Sequence, residues 1–527
     1  MRKHLYGFDY EYITRTFHRA PVTNDLFNTA LSKADLPPFE PLKDESYVRA
    51  RQRAKDLLTP PQPFRPVHLK DMLQYDWNFK PSAELPFIRD PDLLKRVHDA
   101  AALGTLPNAK MNFGNLKNVI FDDLSSFLHR VKRDQIRLDP SNRAIPPDRL
   151  HVKTVISTVD KSKLRIIFGR SKRFIIPEAM FFWPYFRWLL YDRYSDNHNP
   201  LLWGCETLTG GWHRLNSFYL TRHMYFNTFI TIDFGSFDQR ALFPIINDIT
   251  SDWKSFFVFT NGYIPTTEYP TSEADPVHLE RLFDFIIWSI QNVPFLHPSG
   301  KVFQRLHRYI PSGLFTTQFL DSHYNLILIL TVLDSMGIDI NTVHIRVQGD
   351  DSITALRIYI PANQHADFMA RFSLEAKTRF DADVSTTKSG ISNTPQGQTV
   401  LGYQNNNGYP SRDWRQLLAT LLFPKSASPS FETLMSQCVG LIYASIYDRN
   451  VVNVCTDIFE YLSSKGFSPS GSIHDFIATS VEAGFDIDTT VLPTREDVDR
   501  YLRLPPSRRL PRAKKAYWPT EYFLSTF

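Results

Sequence analysis

A chain of 527 residues is too long for one simple core, because single hydrophobic cores stop growing near roughly 250–300 residues. Apolar residues at 43% and aromatics at 14% supply ample material to bury, which excludes a disordered tether. Sixty basic residues against 55 acidic ones leave a net charge of +5, a mild pointer to a polyanionic partner that decides nothing without local clustering.

The N-terminus (Met1, Arg2, Lys3, His4) runs into polar residues with no apolar signal-peptide core. Pro184 and Arg187 interrupt one apolar stretch, Asp321 and His323 another, and neither is expected to span a bilayer. Cys205, Cys438 and Cys455 match no zinc spacing and are expected as buried thiols in a reducing compartment. The expectation is a soluble protein of intracellular type. Residues 1–110 are proline-rich, with extended connectors near Pro37–Pro41 and Pro60–Pro66. From about 150, β-branched strands alternate with helical segments. From about 415 the chain reads as mostly helical and ends in a tail, Arg503 to Lys515, with six basic residues and no acid. That tail is expected to pack its following aromatics, Tyr517 and Trp518, as a solvated end; contact with a polyanion is the alternative.

Four segments carry chemistry. Lys161, Lys163, Arg165, Arg170, Lys172 and Arg173 crowd one stretch with no acid, and Lys163 and Arg165 alternate with Leu164 and Ile166, so both point to one strand face. A basic run by itself is usually a solvated surface. The β-branched run Thr228 to Thr231 reads as a strand leading to Asp233, then a Gly235–Ser236 break and Asp238; a lone pair of this kind also serves as a helix cap. Ser312–Gly313 is a flexible loop before a long helix with a core stripe of Leu320, Tyr324, Leu328 and Val332. The same helix has a second stripe, Gln318, Asp321, Ser322 and Asn325, almost without Lys or Glu, which suits a face that reads a ligand. His344 to Gln348 and Ser352 to Leu356 read as two strands around a tight Gly349–Asp350 turn. Adjacent Asp350 and Asp351 repel each other unless a cation sits there.

Taken in order, DFGSFD, SG-x₃-T followed by SxxN, and GDD resemble the palm motifs of viral RNA-dependent RNA polymerases. KSKLRIIFGR, PLLWGCETLTGGWHRL and VLGYQNNNGYPSRDWRQLLATLLFP narrow the resemblance to the partitivirus polymerases, over about 150 to 425. The resemblance implies an α+β right-hand fold of fingers, palm and thumb, closed by the N-terminal segment, with the palm an antiparallel sheet backed by helices. Expected borders are 1–227 for the N-terminal segment and fingers, 228–250 for the first palm piece, 251–305 for a fingers insertion, 306–413 for the remaining palm and 414–527 for the thumb and tail.

The function implied is template-directed RNA synthesis from ribonucleoside triphosphates, for transcription and replication of a segmented double-stranded RNA genome. Asp233, Asp350 and Asp351 are the expected catalytic metal ligands for two Mg²⁺ ions, preferred because the donors are all hard carboxylate oxygens; Mn²⁺ suits the same donors. Lys388 is a candidate general acid for pyrophosphate. Lys163, Arg165, Arg170, Asp238, Ser312, Gly313, Thr317 and Asn325 are expected around the nucleotide, with Asp238 and Asn325 reading the sugar; Asp321 stands where many relatives place Asn, so Asp321 or Asn325 is the sugar reader. Lys161, Lys172, Arg173, Asn405 and Asn406 are expected on RNA. Template and product RNA, nucleotides and a viral capsid protein are the partners, with no membrane insertion, in host cytoplasm inside the viral particle. A reverse transcriptase is the nearest rival, disfavoured by Gly349 and Asp238; a structural RNA-binding or capsid protein would not need the ordered carboxylates.

Overall fold

The computed structural model describes residues 3–193, 198–203, 210–221, 225–425, 429–470, 490–503 and 517–524. Cys205 and residues 504–516 of the basic tail fall outside them. The N-terminal segment ties distant parts of the molecule together. Helix Gly7–Thr16 packs on helix Trp414–Leu422, where Arg415 pairs with Asp9 at 3.0 Å. Directly after it, β1 (Phe17–Arg19) runs antiparallel to β3 (Ile156–Thr158). Arg19 donates both to the Phe423 carbonyl and to that of Thr154, each at 3.0 Å. One short segment therefore clasps the C-terminal helices to the sheet that carries the basic strand.

That sheet has the order β4-β2-β6-β7, with β2 (Asp148–Thr154) antiparallel to β4 (Leu164–Gly169) and parallel to β6 (Phe295–Leu296), which pairs with β7 (Val302–Phe303). A second sheet lies at the centre, in the order β10-β5-β9-β8. Its strands β5 (Thr228–Thr231), β8 (His344–Gln348), β9 (Asp351–Leu356) and β10 (Gly390–Ser392) are all antiparallel. Strand β5 reads TFIT without polar alternation because both faces are covered. Phe229, Ile353 and Ala355 pack on Trp212, Leu215 and Tyr219, while Ile230, Ile345 and Val347 face the main core. A third sheet comprises β11 (Thr399–Val400), β12 (Tyr403–Asn406) and β13 (Tyr409–Ser411).

Behind the central sheet runs helix Thr317–Ser335, buried on every side from Phe319 to Val332 and packed against helices Glu45–Leu58 and His365–Phe380. A helix with no solvated face belongs inside a large core. Helix Lys172–Arg187 is also interior: Phe182 meets Trp253 and Phe257, and Tyr185 stacks on Phe256. No helix among the described residues is long and apolar enough to cross a membrane. Cys438 and Cys455 are buried free thiols.

The end of the chain docks into this aromatic core. Trp518, only 6% exposed, sits 4.9 Å from Trp183, whose Nε1 donates to the Tyr517 carbonyl, and Phe523 pairs by a β-bridge with Thr266. Trp518→Ala is expected to weaken this docking by about 3 kcal/mol, the low end for a truncated buried aromatic. The loss should be read as a lower unfolding temperature and faster proteolysis at the C-terminal segment; unchanged melting would remove the ring from the core's account.

Candidate active site

The turn between β8 and β9 is two residues long, Gly349 and Asp350, with Gln348 paired to Asp351 across it. Gly349 has φ of +63°, which a side chain at this first turn position would oppose. Helix Thr317–Ser335 grips the turn from behind. The Gly349 N–H donates to Ser322 Oγ at 2.9 Å, and Asn325 Nδ2 donates to the Gly349 carbonyl at 2.9 Å. Asp351 begins β9 and accepts the Leu401 N–H at 3.2 Å. Across the sheet, Asp233 follows β5; its N–H donates to Ser389 Oγ at 3.0 Å and its carbonyl accepts the Ser385 N–H. Gly235 lets the backbone pass close to Asp383, since a Cβ there would lie 2.5 Å from Asp383 Oδ2. The next turn, at Ser236, takes a left-handed conformation and presents Asp238 on a short helical turn, Phe237–Arg240.

Folding brings these acids into one electrostatic basin. Withdrawal from solvent and the Asp350 charge push Asp238 up to about 6. Asp351 is likewise pushed up to about 6 by burial, then by Asp350 and Asp233. Asp350 is raised by burial and by Asp233, while Arg165 and Lys163 pull it down. Asp321, wholly buried, is raised well above the carboxylate range by burial, Asp238 and Asp350, and its Oδ1 has no hydrogen-bond partner. Five carboxylates repelling one another form an all-oxygen donor set that fits hard divalent cations. Among the described residues no three of them close into a finished cage, and Lys388 Nζ lies 3.5 Å from Asp233 Oδ1, partly meeting its charge.

The cations come from β4 and its approach. Lys163 and Arg165 are exposed and face the acids; burial, Arg165, Lys388 and Lys33 lower the Lys163 ammonium, and Asp233 raises it. Lys161 is exposed just before them. The remainder of the basic run is used elsewhere, which corrects the sequence reading. Arg170 is fully buried, bonded to Asp148 at 2.9 Å and to Ser289, so it is not on the nucleotide. Lys172 is buried over the Phe113 ring and donates to the Ser82 carbonyl; burial lowers it to about 8. Arg173 makes a two-pronged bond to Asp123 at 2.6 and 2.9 Å over the Phe127 ring. Neither is free for RNA.

Other assignments also change. Asn325 is buried with its Nδ2 donating to the Gly349 carbonyl, so it positions the turn, while its Oδ1 has no hydrogen-bond partner. Asp321, one turn earlier on the same helix, also has an unmet oxygen and is raised by the Asp238 charge. Thr317 Oγ1 accepts from Leu314 N–H and donates to the Pro311 carbonyl, fixing the loop that holds exposed Ser312 and half-buried Gly313. Asn405 is buried in its hairpin, bonded to Asn216, Pro395 and Gly408, and is no RNA contact; Asn406 is exposed. Ser322 was visible as part of the polar stripe, but Ser385 and Ser389 carried no signal before the fold placed them behind Asp233.

A central antiparallel sheet with carboxylates at a β-turn and a strand end, facing a basic strand from a second sheet, defines a right-hand polymerase. The Sicinivirus 3Dpol RNA dependent RNA polymerase superposes with a TM-score of 0.61 at 14% identity, over 88% of this chain and 91% of that one, a likeness of fold. A family model described as viral RNA-dependent RNA polymerase matches residues 150–361. The RNA-directed RNA polymerase of White clover cryptic virus 1 (isolate Boccardo/2004) is 34% identical over 550 aligned residues, covering 95% of this chain and 87% of the relative. That of Atkinsonella hypoxylon virus (isolate 2H) is 25% identical over 456, covering 77% and 65%. The chain belongs to the viral RNA-dependent RNA polymerases, of the partitivirus type, and its reaction is RNA-templated RNA synthesis. Dependence on divalent metal goes with that family.

Proposed function

We propose that the enzyme joins ribonucleotides by a two-metal reaction, with Mg²⁺ held by Asp233 and Asp350 and assisted by Asp351, in transcription and replication of a segmented double-stranded RNA genome. The observation that carries this reading is the mutual repulsion of Asp233, Asp350 and Asp351 beneath Lys163 and Arg165. Bound divalent cations supply acidification of the primer 3′-hydroxyl and neutralisation of the departing pyrophosphate. The chain's own residues do the rest. Lys163 and Arg165 neutralise and orient the triphosphate, Lys161 and Asn406 meet RNA backbone, and Lys388 holds a proton for the pyrophosphate oxygen.

Asp238, with Asp321 behind it, reads the 2′-hydroxyl, because that hydroxyl can both donate and accept. Wild-type enzyme is expected to prefer ribo- over deoxyribonucleotides by about 10²-fold or more in kcat/KM, since a deoxy sugar leaves buried oxygens unpaired. Equal use of both sugars in single-nucleotide extension would defeat this assignment. Arg165→Ala is expected to raise nucleotide KM by roughly tenfold, as one charge-assisted contact of about 1.5–3 kcal/mol is lost. Unchanged kinetics would take Arg165 out of the site.

Work inside a viral particle in host cytoplasm, against capsid protein, belongs to the same proposal; its support is the family alone. Primer extension on an RNA template with Mg²⁺, with Mn²⁺ and with EDTA tests the chemistry. Activity with either metal and none with EDTA is expected. Extension undiminished in EDTA would overturn the metal assignment.

A further inference from the structure

Arg170, which closes the basic strand, does no work on a nucleotide but stands in a wholly buried charge cluster. Its Nη1 bonds Asp148 at 2.9 Å, its Nη2 bonds the Ser289 carbonyl and hydroxyl at 2.9 and 2.7 Å, and its Nε faces Glu178 Oε1 at 3.6 Å. Asp148 opens β2 and Ser289 belongs to helix Pro276–Asn292, so three elements meet on one guanidinium. Glu178 lies in the middle of helix Lys172–Arg187, amid aromatic side chains, with its side chain fully buried. A carboxylate is costly there unless several donors meet it.

The donors that meet Glu178 are informative. Its Oε2 accepts the Thr316 N–H at 3.2 Å and the Thr316 hydroxyl at 3.3 Å, and the Phe315 N–H also bonds the carboxylate. Burial still pushes Glu178 up to about 7, with Arg170 and these donors pulling the other way. Phe315 and Thr316 are the last residues before helix Thr317–Ser335, so Glu178 satisfies amides at that helix's positive end from another element. This is the helix whose Ser322 and Asn325 hold the Gly349–Asp350 turn. Ahead of it, the loop is stitched to β4 as well: the Phe168 N–H donates to Ser312 Oγ at 3.3 Å, and Gly313 passes so near that a Cβ would sit 2.1 Å from the Phe168 carbonyl.

We infer that Glu178, bridging Arg170 to the amides of Phe315 and Thr316, is a positioning residue that sets the spacing between the triphosphate-facing strand and the carboxylate-bearing turn. The links run in sequence: β4 leads into Arg170, Arg170 faces Glu178, Glu178 bonds the helix start, and the helix bonds Gly349, the residue before Asp350. Oriented reacting groups lose about 10²-fold in rate for a displacement near 1 Å, so a joint at this position governs turnover without touching substrate. The Ser312 loop and Asp321 ride on the same helix start, so sugar discrimination depends on the joint too. This inference rests on the proposed seat of the triphosphate between β4 and the carboxylates.

The test uses the full chain in single-nucleotide extension, with ATP against dATP, on Glu178→Gln and Thr316→Val. Glu178→Gln keeps size and an acceptor oxygen while removing the charge that faces Arg170 and the amides. It is expected to lower kcat by roughly tenfold or more, with a smaller change in KM, and to narrow the ribo-to-deoxyribo ratio by about fivefold. Thr316→Val removes only the hydroxyl contact and should shift the same ratio by about twofold to threefold while melting like the wild type. A purely structural role would lower the unfolding temperature and yield of active enzyme but leave KM and the sugar ratio of the folded fraction alone. Wild-type kinetics and sugar ratio in folded Glu178→Gln overturn the inference; should that variant not fold, a wild-type ratio in Thr316→Val does so. Asp350→Ala and Arg165→Ala run alongside: if they retain full activity the proposed site itself fails, and if they lose it while Glu178→Gln does not, only the positioning role fails.

Discussion

Asp350→Ala is expected to abolish nucleotide incorporation, by about 10³-fold or more, while the folded enzyme still binds its RNA template. The magnitude follows from the proposed role: a metal ligand's charge would stabilise the transition state by several kcal/mol, at about 1.4 kcal/mol for each factor of ten. Folding should not suffer. Asp350 stands at the tip of its turn, and the turn is held through the backbone of Gly349 by Ser322 and Asn325, not by the Asp350 side chain. Its carboxylate also raises Asp238, Asp321 and Asp351, so deletion relieves repulsion and the melting temperature is expected to hold or rise. Single-nucleotide extension, template gel shift and a thermal melt on the same preparation separate these effects. Incorporation within tenfold of wild type would remove Asp350 from the catalytic centre.

The acids that the fold gathers were readable because their signals are local. Asp233 at the end of a β-branched strand and Asp350 between two alternating strands need only the few residues around them, and the β8–β9 hairpin follows; the pairing of β5 with β9 joins distant residues and does not. Charge runs are different. Nothing near Arg170, Lys172 or Arg173 tells that their partners are Asp148, Ser82 and Asp123, supplied by other elements once the chain is folded. Periodicity placed Ser322 and Asn325 on one stripe of the helix, yet could not say that they bond the Gly349 turn. Asn405 suffered the same way, since an amide in a hairpin serves its own backbone as readily as RNA. Glu178 was invisible: one acid in FIIPEAMFFWPYF offers no motif, and its meaning lies in the amides of a loop far along the chain.

Gly313→Ala is expected to cut turnover by about 10²-fold at saturating nucleotide, for a reason that motif spacing alone does not contain. An added Cβ would stand 2.1 Å from the Phe168 carbonyl oxygen and 3.2 Å from Arg170 Cβ. The first neighbour is backbone, fixed in the β2–β4 ladder by the pairing of Phe168 with Leu150, so no side chain can swing aside. Relief must come from moving the loop away from β4, which stretches the Phe168 N–H bond to Ser312 Oγ and drags the amides that bond Glu178. Because that loop starts helix Thr317–Ser335, the strain is passed to the element that carries Asp321 and grips the Asp350 turn. Stability is expected to fall modestly, by about 1–3 kcal/mol as for other overpacking substitutions, so the folded variant remains assayable. Pre-steady-state extension should show slow nucleotide addition with template affinity retained. Rapid addition at the wild-type rate would mean that the loop and the basic strand move independently, and that their close approach is packing without consequence for the reaction.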